Sequence, residues 1–437
     1  MFSATRQIFN GAARSAAIAL CATAALSATG CGNNYRPVVS ATNPVGPASQ
    51  PTKYVTAISD AKTGGNGLIT VVDVSGDTVL ANAFVAPSPS FFALDNVSQA
   101  YVLHTNSVLI DSFAAQPGLM TNVVRQSSLA AGSTPTSIYP GSGSNGVYIT
   151  EPGVSRVAVL TGGAPPAARQ DLPVGANPVY TVGISGSPRV YTLSQGATPG
   201  TSQGTATSIE NGANNTISGT IPVGISPIYG VMTNDARRAF VVNTKGNGGA
   251  NGTVSVINTQ ANAIDTTITV GLNPVWAETA PALNELAVLN QGNGTAAGSL
   301  SVLNIPLCSA LATVGNVACD PNNPSDAVGF GTVLGTIPVG VNPIQVAILQ
   351  DLGKAYVANA GDGTVTVIDL QRLVATTTIR VGGKLNWIAA TSGTPTGKVY
   401  VMASDTQVMT VIRTDTDVVT TTIPLQGFGV ALRVSAP

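Results

Sequence analysis

The chain has 437 residues, with 19 Lys and Arg against 20 Asp and Glu, a formal net charge of −1 and only 9% charged residues. This balance argues against a nucleic-acid-binding surface, which requires a basic stripe. Hydrophobic residues make up 44% of the chain, and the remainder is rich in turn formers, with 48 Gly and 28 Pro. Such a composition is typical of many short strands joined by polar turns and argues against a mainly helical protein.

The first thirty residues have the pattern of an export signal. "MFSATRQIFNGAAR" carries two arginines and no acid, "SAAIALCATAAL" is an apolar core, and small residues lead up to Cys31. The apolar run is too short and too rich in Ala for a membrane span. We therefore predict a signal peptide over 1–30, followed by a flexible, Pro-containing tether over 31–52.

The letters "ATGC" that end at Cys31 resemble a bacterial lipobox, although Ala28 stands where that motif usually has Leu. The resemblance implies that Cys31 is lipidated and becomes the mature N-terminus. The protein would then be an exported lipoprotein of the periplasm or outer membrane, bound to the membrane through its N-terminal lipid. The alternative is ordinary cleavage near Ala28, which would give a secreted protein.

From residue 53 onward the chain repeats a unit of four short strands. Its clearest copy reads "KAYVAN" at 354–359, "TVTVID" at 364–369 and "TTTIRVG" at 376–382, and a fourth strand follows the glycine of most units, as in "VNPIQVAI" from 341. One landmark position of the first strand recurs at Tyr54, Tyr101, Tyr148, Tyr191, Phe240, Leu286, Tyr356 and Tyr400. These landmarks lie 43 to 49 residues apart, except for one interval of 70 that contains an insertion at about 305–333. This period is that of propeller blades.

Turn residues agree with this unit. Pairs that tolerate the positive φ of a tight hairpin are expected between the first and second strands. They are Asn66-Gly67, Asn145-Gly146, Asn251-Gly252, Asn293-Gly294 and Asp362-Gly363. We predict an all-β fold, a β-propeller of four-stranded antiparallel blades over 53–435, with eight blades by count and seven as the alternative. The C-terminal strand, 429–434, is of the fourth type and should close the ring by joining the N-terminal blade.

The repeat resembles that of the YVTN family of β-propeller proteins, whose units read like "YVTN", "GTVSVID" and "ATIPVG" followed by a strand that begins near Pro. The likeness runs from Lys53 to Val434 and is strongest at 236–279 and 353–390. It implies a propeller fold and says little about function, because such propellers serve many purposes.

Cysteine use agrees with export. With Cys21 in the signal and Cys31 at the lipid anchor, only Cys308 and Cys319 remain, separated by ten residues within the insertion. Two cysteines in an exported chain are better explained by a disulfide that closes a loop than by a metal site, which requires more ligands.

Signals for catalysis are weak. The lone histidine, His104, has no second histidine or cluster of acids beside it in the sequence, so we expect a structural role. The string at 200–204 matches the G-x-S-x-G pattern of esterases but lies among turn residues with no helix after it. The Gly/Asn loops at 60–67, 245–252 and 290–298 are expected to be hairpin loops rather than ion sites. We predict no catalytic residue, no metal and no cofactor.

Aromatic residues recur near the start of the fourth strand, which should line the propeller axis. Trp276 and Trp387 occupy equivalent places, and Tyr180 and Tyr229 have similar offsets. We predict that these four side chains surround one mouth of the channel, where aromatic residues suit sugar or peptide binding. The alternative is that they only pack between blades.

The function predicted from these features is that of an envelope-tethered, monomeric scaffold that binds a protein or glycan partner and catalyses no reaction. The alternative is a propeller enzyme, either a lactonase-like hydrolase or a quinoprotein-like oxidoreductase. A lactonase would need His, Arg and Glu in the channel, and the chain has only four glutamates, Glu151, Glu210, Glu278 and Glu285. The recurring Trp motif of quinoprotein blades is missing.

Overall fold

Antiparallel strands make up most of the described part of the chain. The computed structural model describes residues 53–95, 98–115, 124–141, 146–161, 168–212, 214–246, 250–306, 327–349, 353–391 and 397–435. The residues predicted as signal peptide and tether, together with Cys31, Cys308 and Cys319, lie outside these ranges, so the signal, the tether, lipidation and the disulfide stay predictions. Within the described ranges no helix is long and apolar enough to cross a membrane.

The strands occupy four positions in their sheets, which we call inner, second, third and outer. The inner strands are β4 (Pro89–Leu94), β8 (Ser137–Pro140), β12 (Pro178–Val182), β15 (Ile217–Met232), β19 (Pro274–Ala280), β23 (Pro343–Leu349), β27 (Leu385–Thr391) and β31 (Phe428–Val434). The second strands are β1 (Tyr54–Asp60), β5 (Gln99–His104), β9 (Val147–Glu151), β13 (Arg189–Ser194), β16 (Arg238–Lys245), β20 (Glu285–Asn290), β24 (Lys354–Asn359) and β28 (Lys398–Ala403).

The third and outer strands complete each sheet. The third strands are β2 (Asn66–Asp73), β6 (Leu109–Ala114), β10 (Arg156–Thr161), β14 (Gln203–Glu210), β17 (Thr253–Asn258), β21 (Ala297–Asn304), β25 (Thr364–Asp369) and β29 (Val408–Arg413). The outer strands are β3 (Thr78–Pro87), β7 (Arg125–Ser128), β11 (Ala168–Pro173), β18 (Ala263–Thr269), β22 (Val333–Val341), β26 (Val374–Arg380) and β30 (Val418–Pro424). Two short 3-10 helices are present: Pro152–Val154 joins the second strand β9 to the third strand β10, and Pro281–Leu283 joins the inner strand β19 to the second strand β20.

All the sheets share one order, inner, second, third and outer, with antiparallel neighbours throughout. In the described residues six sheets have four strands, and a seventh has seven because β15 serves two sheets. The first part of β15 pairs with β14 as an outer strand, and the second part pairs with β16 as an inner strand. We call each four-stranded unit a blade, and counting inner strands gives eight blades among the described residues. The predicted all-β fold of four-stranded antiparallel sheets is confirmed.

The inner strands follow one another around a common axis. Each contacts the next along the chain, from β4 through β8, β12, β15, β19, β23 and β27 to β31, and β31 contacts β4 again. The last strand, β31, also pairs with β1 from Val55↔Val434 to Asp60↔Phe428. The N-terminal blade is therefore built from both ends of the repeat region, which leaves no open edge between the first and last blades.

The core lies between neighbouring blades. In the blade of β23 to β26, strands β23, β24 and β25 are buried almost throughout, whereas β26 is exposed at every position except Ile379. Both faces of the middle strands pack against adjacent sheets, which explains why "YVA" and "VTVI" are nearly continuous in apolar residues. One core cluster accordingly joins Leu289 and Val302 of one blade to Val346 and Val357 of the next.

The asparagine that ends several second strands ties the blades together. Asn359 Oδ1 accepts a hydrogen bond from the N–H of Gly340 in the preceding blade (3.1 Å), and its Nδ2 donates to the hydroxyls of Thr364 (3.1 Å) and Thr366 (3.0 Å). A Cβ at position 340 would lie 2.6 Å from the Asn359 side chain. The glycine of the "VG" pair is therefore required by this close approach.

The predicted hairpin turns are confirmed in part. Gly294 (φ 80°) and Gly363 (φ 66°) have the expected positive φ. Gly67 and Gly252 do not, and their glycine is explained by packing instead, because a Cβ would lie 2.8 Å from Pro89 and 2.1 Å from Pro274 respectively. The predicted turn at Asn145-Gly146 is wrong. It was expected between the first two strands of the sequence repeat, which are the second and third strands of a blade, but Gly146 precedes the second strand, β9; Asn145 lies outside the described residues.

The repeated tyrosine of the second strand forms a latch to the next blade. The hydroxyl of Tyr356 donates to Asp417 Oδ1 (2.5 Å), and Lys354 Nζ lies 2.9 Å from Asp417 Oδ2. Asp417 has a φ of 54° and lies in the turn between β29 and β30. Tyr400 and Asp77 repeat the contact at 2.9 Å, and Tyr148 and Asn215 at 2.7 Å. The landmark aromatic is thus a structural residue that joins blades.

Removal of one latch hydroxyl should destabilise the protein measurably. Tyr356 is fully buried, and its bond to a charged acceptor should contribute about 1.5–3 kcal/mol, so Tyr356→Phe should lower the free energy of unfolding by that amount in urea titrations. Tyr191→Phe is the matched control, because the Tyr191 hydroxyl occupies the same repeat position and is buried but bonds no carboxylate of the next blade. Equal losses in the two variants would contradict the latch.

Candidate functional site

The four aromatic residues predicted at the channel mouth lie at one structural position. Tyr180, Tyr229, Trp276 and Trp387 belong to the inner strands β12, β15, β19 and β27. Each follows a register shift that begins at the first paired residue of the inner strand, Pro178, Pro227, Pro274 or Leu385. The bulge re-aims the next side chain, and all four remain partly exposed on strands that surround the axis.

The four rings form a continuous arc. The ring centroids of Tyr180 and Tyr229 are 4.8 Å apart, and those of Tyr229 and Trp276 are 4.0 Å apart with the planes 19° from parallel. Trp276 and Trp387 meet edge to face at 6.3 Å, although their strands are separated by β23. Side chains from strands that are not neighbours can meet only across the axis, so the arc lies there. The rings also contact core clusters on their outer side, so the packing alternative holds as well.

Stacking within the arc covers ring faces and leaves polar edges free. The indole N–H of Trp387 and the amide oxygen of Asn386 are buried without a hydrogen-bond partner, whereas the Trp276 indole lies beside the carboxyl of Glu278. Burial raises the pKa of both Tyr180 and Tyr229. Their hydroxyls therefore keep their protons at neutral pH, and because Tyr229 donates to the Tyr180 oxygen, the hydroxyl of Tyr180 remains a donor. The arc offers donors rather than open aromatic platforms.

Glu278, two residues after Trp276 on β19, is the acid of this region. Burial raises the pKa of its carboxyl to about 8, although the N–H of Ile348 and the nearby indole of Trp276 both favour the charged form. The Ile348 N–H donates to Glu278 Oε1 at 3.2 Å. Glu278 is therefore mostly protonated at neutral pH and adds little negative charge. The sequence offered it only as one of four glutamates, without a place at the axis.

Arg433 on β31 was missed by the sequence analysis. Its guanidinium carbon lies 4.2 Å from the centroid of the Trp387 ring, and its Nη1 donates to the carbonyl oxygen of Leu432 at 3.1 Å. Burial lowers its pKa, while the two axial tyrosines, Tyr180 and Tyr229, act electrostatically in the opposite sense. Among the described residues Arg433 has no carboxylate partner within salt-bridge distance. Its position follows only from the pairing of β31 with β1, which brings the last strand to the axis.

A cavity of about 280 Å³ lies beside this cluster. Its wall comes from β4, β8 and β12 and from the turns that follow them, with Arg433 reaching it from β31. Tyr139, Tyr180, Asp95 and Ser185 supply its other polar groups. The cavity therefore combines aromatic edges, hydroxyls and one cationic side chain at the ring centre, as in a small-ligand site.

His104 has the structural role that the sequence predicted. It is buried, with Nε2 lying 3.2 Å from Asp111 Oδ2 and Nδ1 lying 3.1 Å from the carbonyl oxygen of Pro87. Burial alone would raise the pKa of Asp111, but hydrogen bonds from His104, the Ala86 N–H and Gln126 hold it below its usual value. Since both ring nitrogens face acceptors, the imidazole is held in place between two blades.

The remaining sequence motifs do not assemble a site. Ser202 of the G-x-S-x-G string accepts a hydrogen bond from the Thr198 N–H (3.1 Å) and leads into strand β14 instead of a helix. The loop from 290 to 298 turns between β20 and β21, and Asn293 there accepts hydrogen bonds from its own loop. Within the described ranges no group of three or more His, Cys, Asp or Glu side chains could hold a metal ion.

Comparison with known proteins shows the fold. No family model and no curated protein matches the chain. The solved structure of the dihydro-heme d1 dehydrogenase NirN in complex with DHE is similar over 92% of this chain and 78% of that one, with a TM-score of 0.62 and 11% identity. The solved structure of AztD from Citrobacter koseri is similar over 87% of this chain and 97% of that one, with a TM-score of 0.55 and 13% identity. A putative 6-phosphogluconolactonase from Bacteroides fragilis is similar over 89% of this chain and 99% of its own, with a TM-score of 0.52 and 12% identity. The chain is thus a β-propeller.

Replacement of Glu278 by Gln should change how stability depends on pH. The pKa of Glu278 is raised from 4.5 to about 8 in the folded state, so between these values the native protein keeps a proton that the unfolded chain releases. The free energy of unfolding should therefore fall as pH rises through this window, by at most about 1.4 kcal/mol per pH unit. Glu278→Gln should remove that fall, which urea unfolding at about pH 5 and about pH 8 would detect.

Glu210→Gln is the control for this measurement. Although burial raises the pKa of Glu210, hydrogen bonds from Arg189 and Ser218 outweigh it and lower the pKa below the usual value. Its stabilising contribution is complete above the unfolded-state pKa, so it stays constant across the window. The Glu210→Gln profile should run parallel to wild type. A Glu278→Gln profile that also runs parallel would show that Glu278 is ionised in the folded protein.

Proposed function

We propose that this protein is a non-catalytic β-propeller of the YVTN-repeat type that binds a glycan end at its axial cavity. The observation that carries the proposal is the convergence of the aromatic arc, Arg433 and the 280 Å³ cavity on the ring of inner strands. A cavity of this size is near the lower end of the range for small-molecule sites. It suits one sugar unit better than a folded protein surface, which could not reach between the inner strands.

Donor groups support a sugar as the ligand. Tyr139 and Tyr180, which line the cavity, can donate from their hydroxyls to the ring and hydroxyl oxygens of a sugar, and Arg433 adds further N–H donors. Buried polar groups without partners are costly, so a ligand that pairs them gains affinity. The similarity in fold does not indicate which ligand binds, because the similar structures include both a dehydrogenase in complex with DHE and a putative 6-phosphogluconolactonase.

Binding to a glycan array should test the site directly. We expect the protein to bind a subset of glycans, and Tyr180→Phe, which removes only a hydroxyl from the cavity wall, to weaken that binding by about tenfold. Phe84→Ala is the matched aromatic control, because Phe84 is 63% exposed on the outer strand β3, away from the axis. The absence of any bound glycan, or equal binding by Tyr180→Phe and wild type, would contradict the proposal.

A hydrolase is the second candidate, and one observation favours it. Glu278 keeps its proton near neutral pH at the axis, as a general acid must. Its Oε1 is, however, already engaged by the Ile348 N–H, which gives the carboxyl a structural task. Turnover on a panel of lactones that Glu278→Gln abolishes would establish the hydrolase and contradict a binding function.

We further propose that the propeller is exported and held in the cell envelope by a lipid on Cys31, through the tether over 31–52. The sequence around Cys31 supports this, since small residues precede it and a polar segment follows. In a bacterial host that processes lipoproteins, wild-type protein should fractionate with membranes and Cys31→Ser should become soluble or remain unprocessed. Cys21→Ser, which lies in the predicted signal, is the control and should leave fractionation unchanged. Membrane fractionation of processed Cys31→Ser would rule out this anchor.

A further inference from the structure

Arg433 has no salt-bridge partner among the described residues, in contrast to several other cationic side chains. Salt bridges join Arg156 and Arg169 to Glu151, Arg189 to Glu210, Lys354 to Asp417, and Lys398 to Asp77. Arg433 instead stacks on Trp387 and donates to one carbonyl oxygen. The remaining N–H groups of its guanidinium have no acceptor in the described residues.

Arg238 also lacks a salt bridge, but its guanidinium has other partners. Arg238 is fully buried without a salt bridge, but it donates to the carbonyl oxygens of Ile305 and Pro306 and lies in the field of Asp235 and Asp265. The residues that act electrostatically on Arg433 are Tyr180 and Tyr229, which are neutral when protonated. Arg433 is only partly exposed and its guanidinium lines the cavity, where it can bind an anionic group of a ligand.

We propose that the ligand of the axial cavity carries a carboxylate, which Arg433 binds. This deepens the proposed glycan-binding function and rests on it, and it makes the bound unit a uronic acid or another acidic sugar. A guanidinium presents two parallel N–H groups that match the two oxygens of a carboxylate. Tyr180, which lines the same cavity, can donate a further hydrogen bond to the ligand.

A monoanion fits the charges of the cavity better than a phosphate does. Arg433 supplies one positive charge, and the carboxyl group of Asp95 in the same wall would repel a dianionic phosphate more strongly than a single carboxylate. Stacking on Trp387 holds the guanidinium plane and reduces the entropy lost when a ligand binds. A single carboxylate can therefore pair with Arg433 against less repulsion than a phosphate would meet.

Calorimetry with a matched pair of sugars tests this inference. D-glucuronate and D-glucose differ at one carbon, a carboxylate against a hydroxymethyl group. We expect D-glucuronate to bind wild-type protein at least about tenfold more tightly than D-glucose, with an affinity that falls as salt is added. Arg433→Gln should lose that preference, and Arg433→Lys should keep only part of it because it retains the charge without the fork.

Arg380→Gln is the control for net charge, because Arg380 is exposed at the end of β26. It should bind D-glucuronate like wild type, and thermal unfolding would verify that every variant is folded. Equal affinity for the two sugars, unchanged binding by Arg433→Gln, or no binding of either sugar would overturn the carboxylate inference. Binding of array glycans through Tyr180 would in those cases still support the proposed function. If N-acetylglutamate binds through Arg433 while neither sugar nor any array glycan does, the carboxylate stands and the glycan function fails.

Discussion

The unpaired edge of each inner strand is the constraint on which the centre of this propeller depends. An inner strand has a hydrogen-bonded neighbour on one side only, and its other edge faces the axis, where backbone groups still need partners. Side chains supply them in sequence around the ring. Glu278 accepts from the N–H of Ile348, Gln345 from that of Ile388, and Asn386 donates to the carbonyl oxygens of Gly429 and Val430. Each polar side chain of one inner strand thus serves the backbone of the next.

This constraint separates structural from available groups at the axis. Glu278, Gln345 and Asn386 are engaged with backbone, so their polarity does not by itself indicate a ligand. The indole N–H of Trp387 has no such task, and the guanidinium of Arg433 makes only one backbone bond, to the carbonyl oxygen of Leu432. They are the groups that a ligand would complete. The burial that keeps Glu278 protonated also keeps it from adding negative charge at the axis.

Much of the fold could be predicted because its contacts are local and repeated. Hairpins join the second strand to the third and the third to the outer strand, so a register read in "KAYVAN" and "TVTVID" transfers to the other units. The tyrosine and asparagine of the repeat could be located but not explained, since their partners, Asp417 and Gly340, lie in other blades. The site was predictable only where it repeats, as Trp276 and Trp387 do. Arg433 occurs once and reaches the axis through ring closure, so no local pattern marks it.

Repetition and function therefore occupy different positions in this chain. At the inner-strand position that Arg433 occupies, the other blades have small or apolar residues such as Ala93, Val182 and Ala347, or the neutralised Glu278. A ring of equal blades would repeat any charge at this position around the axis, where like charges would repel one another at close range. A single cation avoids that repulsion and gives the cavity one preferred side. A ligand of opposite charge would then bind in one orientation, which an exactly symmetric ring could not specify.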